Sequence, residues 1–304
     1  MPSAAVLPEI STTVRTGNLQ RRSLSALLRA FPRTTAPWLA RQFLTPRGRQ
    51  APLDLRDATV ESIAVRGNRI DIGLWGEGPL VLLVHGWAGG GVQFDLLRAE
   101  LVGRGFRVAC FDAPAHGASV ASTTSLLDFM GVIEAVSECQ GPIHALVGHS
   151  LGATAVALSS RNWPEGMAPA LVLLAPMPGF RFALDSFARS LNLSDVGCAV
   201  LSDHLQRTLG FDAREMELGA LRPKVPSLFV HDAQDKATPL SASRDLVSAW
   251  PGAALLETSG LGHSRILADS SVIERVCSFI QAQPLRRISA LDRQLSVLGR
   301  LHFV

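Results

Sequence analysis

Between Ile143 and Arg161 an apolar, β-prone run (Ile143-His144-Ala145-Leu146-Val147) meets a run of small residues, Ala153 to Ser159, of the kind that packs as a close-fitting helix. The joint reads Gly148-His149-Ser150-Leu151-Gly152. This G-x-S-x-G spacing constrains the chain to strand, sharp turn and helix, with Ser150 at the apex. A serine held in so strained a turn needs neighbours without side chains where strand and helix backbones nearly meet, which is the work of the two glycines. The outcome is a hydroxyl exposed at a helix N-terminus, where backbone N–H groups can stabilise a developing oxyanion. Alone, the pattern arises by chance often enough to be weak.

The surrounding sequence repeats the strand-helix rhythm. An antiparallel hairpin is expected at Val60 to Val65 and Ile70 to Trp75, turned by Gly67-Asn68. Apolar runs follow at Leu80–Val84, Phe106–Phe111, Ile143–Val147, Ala170–Leu174, Ser227–Val230 and Ala253–Leu256, as strands covered on both faces require. Helices are expected between them at Val92–Val102, Ser125–Cys139, Ser150–Ser160, Ser241–Ala249 and Ser270–Gln281. The fold class is therefore α/β, with about eight mostly parallel strands and helices on both faces. The connection from Ala175 to Ser227 breaks the rhythm, and from Phe180 to Leu221 it carries apolar residues at helical spacing. A connection this long in a compact domain is usually functional, so it is read as a small helical lid, about 177–223, over the site.

Residues 1–55 read as an N-terminal helical arm, and 56–304 as one domain with an amphipathic tail at 285–304. The arm carries two apolar stripes, Leu24, Leu27, Leu28 and Phe31, then Trp38, Leu39, Phe43 and Leu44, with Pro37 near a helix start and Pro46 beyond its end. Its first fifty positions hold eight arginines against the single acid Glu9. Such a start has the composition of an organellar transit peptide or a membrane-surface helix, but docking on the body is the favoured reading. A net charge of +3 is too small to imply a nucleic-acid partner, and 47% hydrophobic with 18% charged residues excludes a disordered chain. No secretory signal or membrane-spanning run stands out, and Cys110, Cys139, Cys198 and Cys277 lack C-x-x-C spacing. They are read as buried free thiols of a cytoplasmic protein.

A hydroxyl is a poor nucleophile at neutral pH, so Ser150 needs a base and the base needs an orienting group. Two sites after later strands supply them, Asp235 in His231-Asp232-Ala233-Gln234-Asp235 and His263 in Gly260-Leu261-Gly262-His263. With His85-Gly86-Trp87-Ala88-Gly89 after the third strand and Asp112-Ala113-Pro114-Ala115-His116-Gly117 after the fourth, the chain resembles an α/β-hydrolase-fold serine hydrolase of the esterase/lipase-like branch over about residues 60–283. The resemblance implies an acyl-enzyme on Ser150, His263 as base and then acid, Asp235 as its partner, and an oxyanion hole from the backbone N–H groups of Trp87 and Leu151. It implies no cofactor and no metal. Two departures stand out, Ala115 where members often have glycine, and Asp232 where the pattern is His-Gly. The second leaves Asp232 as a competing carboxylate, with Asp235 preferred because the strand is read as ending before it.

His85 and His116 are read as braces of the loops beside the serine, and His149 as packing beneath the elbow. Serine at the elbow, and the absence of any tyrosine, argue against the branches with a nucleophilic aspartate, the haloalkane dehalogenases and epoxide hydrolases. Hydrolysis of a carboxylic ester of a small acyl substrate is the leading expectation. Thioester or amide cleavage, perhydrolysis and acyl transfer use the same groups, and a non-catalytic binder of this fold is the reading from another class.

Overall fold

The computed structural model describes residues 26–28, 30–48, 50–163 and 168–285. Among them, eight strands form one sheet: β1 (Thr59–Val65), β2 (Asn68–Trp75), β3 (Leu80–Val84), β4 (Arg107–Phe111), β5 (Ile143–His149), β6 (Ala170–Leu174), β7 (Ser227–Asp232) and β8 (Ala253–Thr258). The order is β1-β2-β4-β3-β5-β6-β7-β8. The pairs β1/β2 and β2/β4 are antiparallel and all the others parallel. Chain order reverses around β3, with β4 on one side and β5 on the other, and in open sheets of this kind ligands bind beyond the carboxyl ends of strands at such a reversal.

Alternation along the strands divides the core. Leu80, Leu82 and Val84 of β3 join one buried cluster, while Val81 and Leu83 join another on the opposite face. Helices α3 (Leu126–Gln140), α4 (Leu151–Ser159) and α7 (Leu240–Ala249) contribute to the first, and α2 (Asp95–Gly103) and α8 (Ser270–Gln281) to the second. Burial on both faces is what the continuous apolar strands require. The two edge strands are the exceptions: β8 is half exposed, and β1 is exposed except at Ile63 and Val65.

Several local expectations shift. Val65 pairs with Asn68, so the hairpin loop is Arg66-Gly67, with φ of 47° and 79°, and Asn68 already belongs to β2. Two consecutive left-handed residues make the mirror-image turn whose twist suits a hairpin. The helix expected from Val92 begins as a 3-10 turn, Gly91–Phe94, before α2. In the arm, α1 (Pro32–Phe43) starts earlier than expected: Pro32 takes the first turn, where a missing N–H has no partner to lose, and Pro37 falls inside the helix. Its inner face, Ala36, Leu39 and Ala40, is buried against α6 (Asp195–Leu209), whereas Trp38, expected in the apolar stripe, is 53% exposed. Cys139 likewise is exposed rather than buried, at the solvent side of α3, while Cys110 and Cys277 are buried as expected. Leu24 of the first arm stripe and the tail beyond Leu285 lie outside the described residues. Two helices, α5 (Phe180–Leu191) and α6, occupy the long connection between β6 and β7. Among the described residues no helix is long and apolar enough to cross a membrane.

Candidate active site

Ser150 joins β5 to α4 with φ 52° and ψ −116°, a left-handed conformation that a side chain rarely adopts. The turn is held from below, where the Ser150 N–H donates to the Leu174 carbonyl at 2.9 Å and the Ser150 carbonyl accepts from Met177 N–H at 3.3 Å. Both elbow glycines are sterically required. A Cβ on Gly148 would lie 2.5 Å from the Gly152 carbonyl oxygen, and one on Gly152 would lie 2.2 Å from that of Val84 and 2.4 Å from that of His85. Gly86 lets the loop after β3 pass against the serine, since a Cβ there would meet Ser150 Cβ at 3.0 Å. Leu151 is the first residue of α4, so its N–H has no partner within the helix and stands at the positive end of its dipole.

That loop is braced by buried histidines. His85 accepts from Ala113 N–H at Nε2 (2.9 Å) and donates from Nδ1 to the Gly86 carbonyl (2.8 Å), while His116 accepts from Ala88 N–H at Nε2 (2.9 Å). Burial pushes His85 down to about 4, consistent with a neutral ring that can both donate and accept. Asp112 adds a third tie by accepting from Gly91 and Leu53 N–H groups, each at 2.8 Å. Ala115 has φ 64°, the left-handed conformation that glycine adopts without strain, which is the physical sense of the glycine common at this place.

On the other side, β7 continues through Asp232, two residues beyond its expected end, and the chain then turns so that Asp235 meets His263. His263 Nδ1 donates to Asp235 Oδ2 at 2.7 Å, and the Asp235 side chain is fully buried. The carboxylate also accepts from Ala237 N–H (2.7 Å), Thr238 N–H (3.0 Å) and Thr238 Oγ1 (3.1 Å). Burial pushes its pKa up, but hydrogen bonds from His231 and His263 outweigh that and hold the group far below the usual carboxylate range. Asp232, the competing carboxylate, is spent elsewhere. It accepts from Gln234 N–H (2.9 Å), Thr258 Oγ1 (2.8 Å) and Leu261 N–H (3.0 Å), so it ties the β7 and β8 loops together.

Two contributors were missed in the sequence. His231 is wholly buried, with Nδ1 2.7 Å from Ser243 Oγ and Nε2 3.1 Å from the Thr238 carbonyl and 3.4 Å from Asp235. Thr238 is the hydroxyl beside the carboxylate. The available signal was a histidine closing an otherwise apolar strand, which must find partners if buried. His149 lies next to Ser150 with its ring 4.7 Å from that of His263, and its Nε2 donates to the His263 carbonyl at 2.9 Å. Burial, and next the nearby His263, push it down to about 3.

Ser150, Leu151, Trp87 and His263 line one cavity of about 500 Å³, and Asp235 sits behind His263, off its wall. The other walls are mostly apolar, with Leu127, Met177, Phe182 and Phe187 among them. Among the described residues no group of three or more His, Cys, Asp or Glu side chains is placed to hold a metal ion. The arrangement can supply a nucleophilic hydroxyl, a buried carboxylate orienting an imidazole, and a water-poor space for an apolar group.

Comparison with known proteins bears on the fold and the family. A pimeloyl-(acyl-carrier protein) methyl ester esterase of Chromobacterium violaceum is 27% identical over 237 residues, which is 64% of this chain and 90% of that one. The corresponding esterase of Methylococcus capsulatus is 40% identical over 107 residues, 34% of this chain and 40% of that one. Among solved structures, an esterase from Exiguobacterium antarcticum superposes with a TM-score of 0.57 at 18% identity, over 74% of this chain and 100% of that one. The model of the alpha/beta hydrolase family matches residues 81–276, and the chain, with its sheet order, elbow and strand-end residues, belongs to that family and is a hydrolase.

Proposed function

We propose that this chain is a serine hydrolase that cleaves a carboxylic ester of a small, largely apolar acyl substrate through an acyl-enzyme on Ser150. One observation carries the reading: His263, oriented by Asp235 at 2.7 Å, lines the same cavity as the strained Ser150. In this mechanism Ser150 Oγ attacks the ester carbonyl while His263 Nε2 takes its proton, and the resulting imidazolium is stabilised by the buried Asp235. The oxyanion forms against the backbone N–H groups of Trp87 and Leu151, held in place by the His85, His116 and Asp112 ties. His263 then gives the proton to the departing alcohol; water, deprotonated by the same imidazole, attacks the acyl carbonyl, and the imidazolium returns that proton to Ser150 Oγ as its bond to the acid breaks. The methyl ester esterase names of two relatives favour an ester over other acyl bonds. The domain reading is part of the proposal, with 1–55 as an arm, 56–304 as the hydrolase domain, and α5 and α6 as a lid that excludes water.

A fluorophosphonate probe tests it. The expected result is a single adduct on the Ser150 peptide, lost in Ser150→Ala together with hydrolysis of short p-nitrophenyl esters. Ester hydrolysis that persists in Ser150→Ala would remove the assignment.

A further inference from the structure

Residues 42–47 lie well before the segment matched to the family, yet Gln42, Phe43, Leu44, Thr45 and Arg47 line the cavity. They are fixed there. Leu28 and Leu39 are fully buried: α1 packs on α6, and Leu28, just before α1, packs over Gly197 of α6, where a Cβ would meet Leu28 Cδ1 at 3.3 Å. The chain leaving α1 is pinned again where the Leu44 carbonyl accepts from Thr124 N–H at 2.8 Å. Between these ties the Phe43 ring meets Phe187 edge-on at 5.3 Å and Phe180 at 6.2 Å, and Phe180 meets Phe211 at 4.9 Å. Four rings from the arm, α5 and the segment after α6 thus make one interlocked wall of the same cavity.

We propose that Phe43 is a specificity-determining residue: it closes the cavity on the arm side and sets the length of the apolar chain that the site accepts. The inference rests on the serine-esterase reading of this cavity. Edge-to-face aromatic packing defines ring position, and a ring held by the arm on one side and α5 on the other cannot swing aside as an unbranched side chain would. An apolar chain one or two methylenes too long then meets the ring, and one methylene in such a pocket shifts kcat/KM by roughly tenfold or more. Because Phe43 is the arm's contribution to this wall, a hydrolase body of the same fold without the arm would lack the ring that closes it on this side.

The test uses the full chain and a series of p-nitrophenyl esters from acetate to decanoate, with fluorophosphonate labelling of each variant run in parallel. Phe43→Ala and Phe43→Leu are expected to move the optimum to longer chains, raising the ratio of kcat/KM for long over short esters by about tenfold in the alanine variant. Phe43→Trp is expected to move it to shorter ones. Opposite shifts from smaller and larger side chains are a readout that loss of support alone would not produce. An unchanged chain-length profile in all three variants, or a uniform fall across the series, overturns the proposal while Ser150 labelling remains. Absence of Ser150 labelling in the unsubstituted chain counts instead against the esterase reading.

Discussion

At the residue scale, two carboxylates, one closing β7 and one in the turn after it, are distinguished by what they hold. Asp235 keeps His263 in orientation, while Asp232 accepts from Thr258, Leu261 and Gln234. Asp235→Asn is expected to lower kcat/KM by roughly 10³- to 10⁴-fold, because the amide no longer fixes the tautomer or stabilises the imidazolium. Asp232→Asn would present an amide N–H₂ to donors and is expected to cost about 1–3 kcal/mol of stability, with turnover nearly intact in the folded fraction. Urea unfolding alongside steady-state kinetics checks both, and exchanged outcomes would move the acid role to Asp232. That Ser150, Asp235 and His263 would come together was legible because each follows an apolar run and so falls beyond a strand end on one edge of the sheet. The choice between the two acids was legible only in part, since it was argued from a strand end that falls two residues later. What brings Asp235 rather than Asp232 against His263 is a turn built by Thr238 and His231, whose contacts are set by the folded loop and not by spacing.

At the scale of elements, the elbow works only if α4 can lie against the end of β3. A methyl group on Gly152 would sit 2.2 Å from a backbone carbonyl of that strand, and backbone in the middle of a sheet cannot yield as a side chain tip does. Gly152→Ala is therefore expected to cost about 3 kcal/mol, the upper end for overpacking, and to abolish fluorophosphonate labelling. Gly103, the last residue of α2, has open space within 4 Å and makes the control: Gly103→Ala is expected to be neutral or to stabilise by about 0.5–1 kcal/mol. Equal thermal midpoints for the two variants would count against this account of the elbow. Strand positions were read closely from apolar runs because both sheet faces are covered. The hairpin loop and the start of α1 were missed by a few residues, since each depends on which of two neighbouring turn or proline positions the flanking pairing selects.

At the scale of the whole molecule, the arm's two apolar stripes were expected to dock on the body, and the outcome is mixed: Leu28 and Leu39 are buried and Phe43 partly so, whereas Leu27, Phe31 and Trp38 are exposed, and the partners were not foreseen. Spacing defines the face of a helix, whereas the lid helices it meets are far along the chain. The same non-local packing buries His85 and His149 in neutral form, and this has a consequence for acid stability. An unfolded imidazole titrates near 6.5, while burial lowers His85 to about 4 and His149 to about 3. Between those values the unfolded chain binds protons that the native state refuses, so native stability is fully present above about pH 6.5 and falls as pH drops toward 4. Each histidine contributes a slope of up to about 1.4 kcal/mol per pH unit. Asp235, held far below the usual range, acts in the same direction only at lower pH, where unfolded carboxylates begin to take up protons. Urea midpoints measured from about pH 7 down to about pH 5 are thus expected to fall steadily, with net proton uptake on unfolding. A midpoint that stays flat until the carboxylate range would show that these two imidazoles are not buried in neutral form, and the brace of the loop after β3 would have to be redrawn.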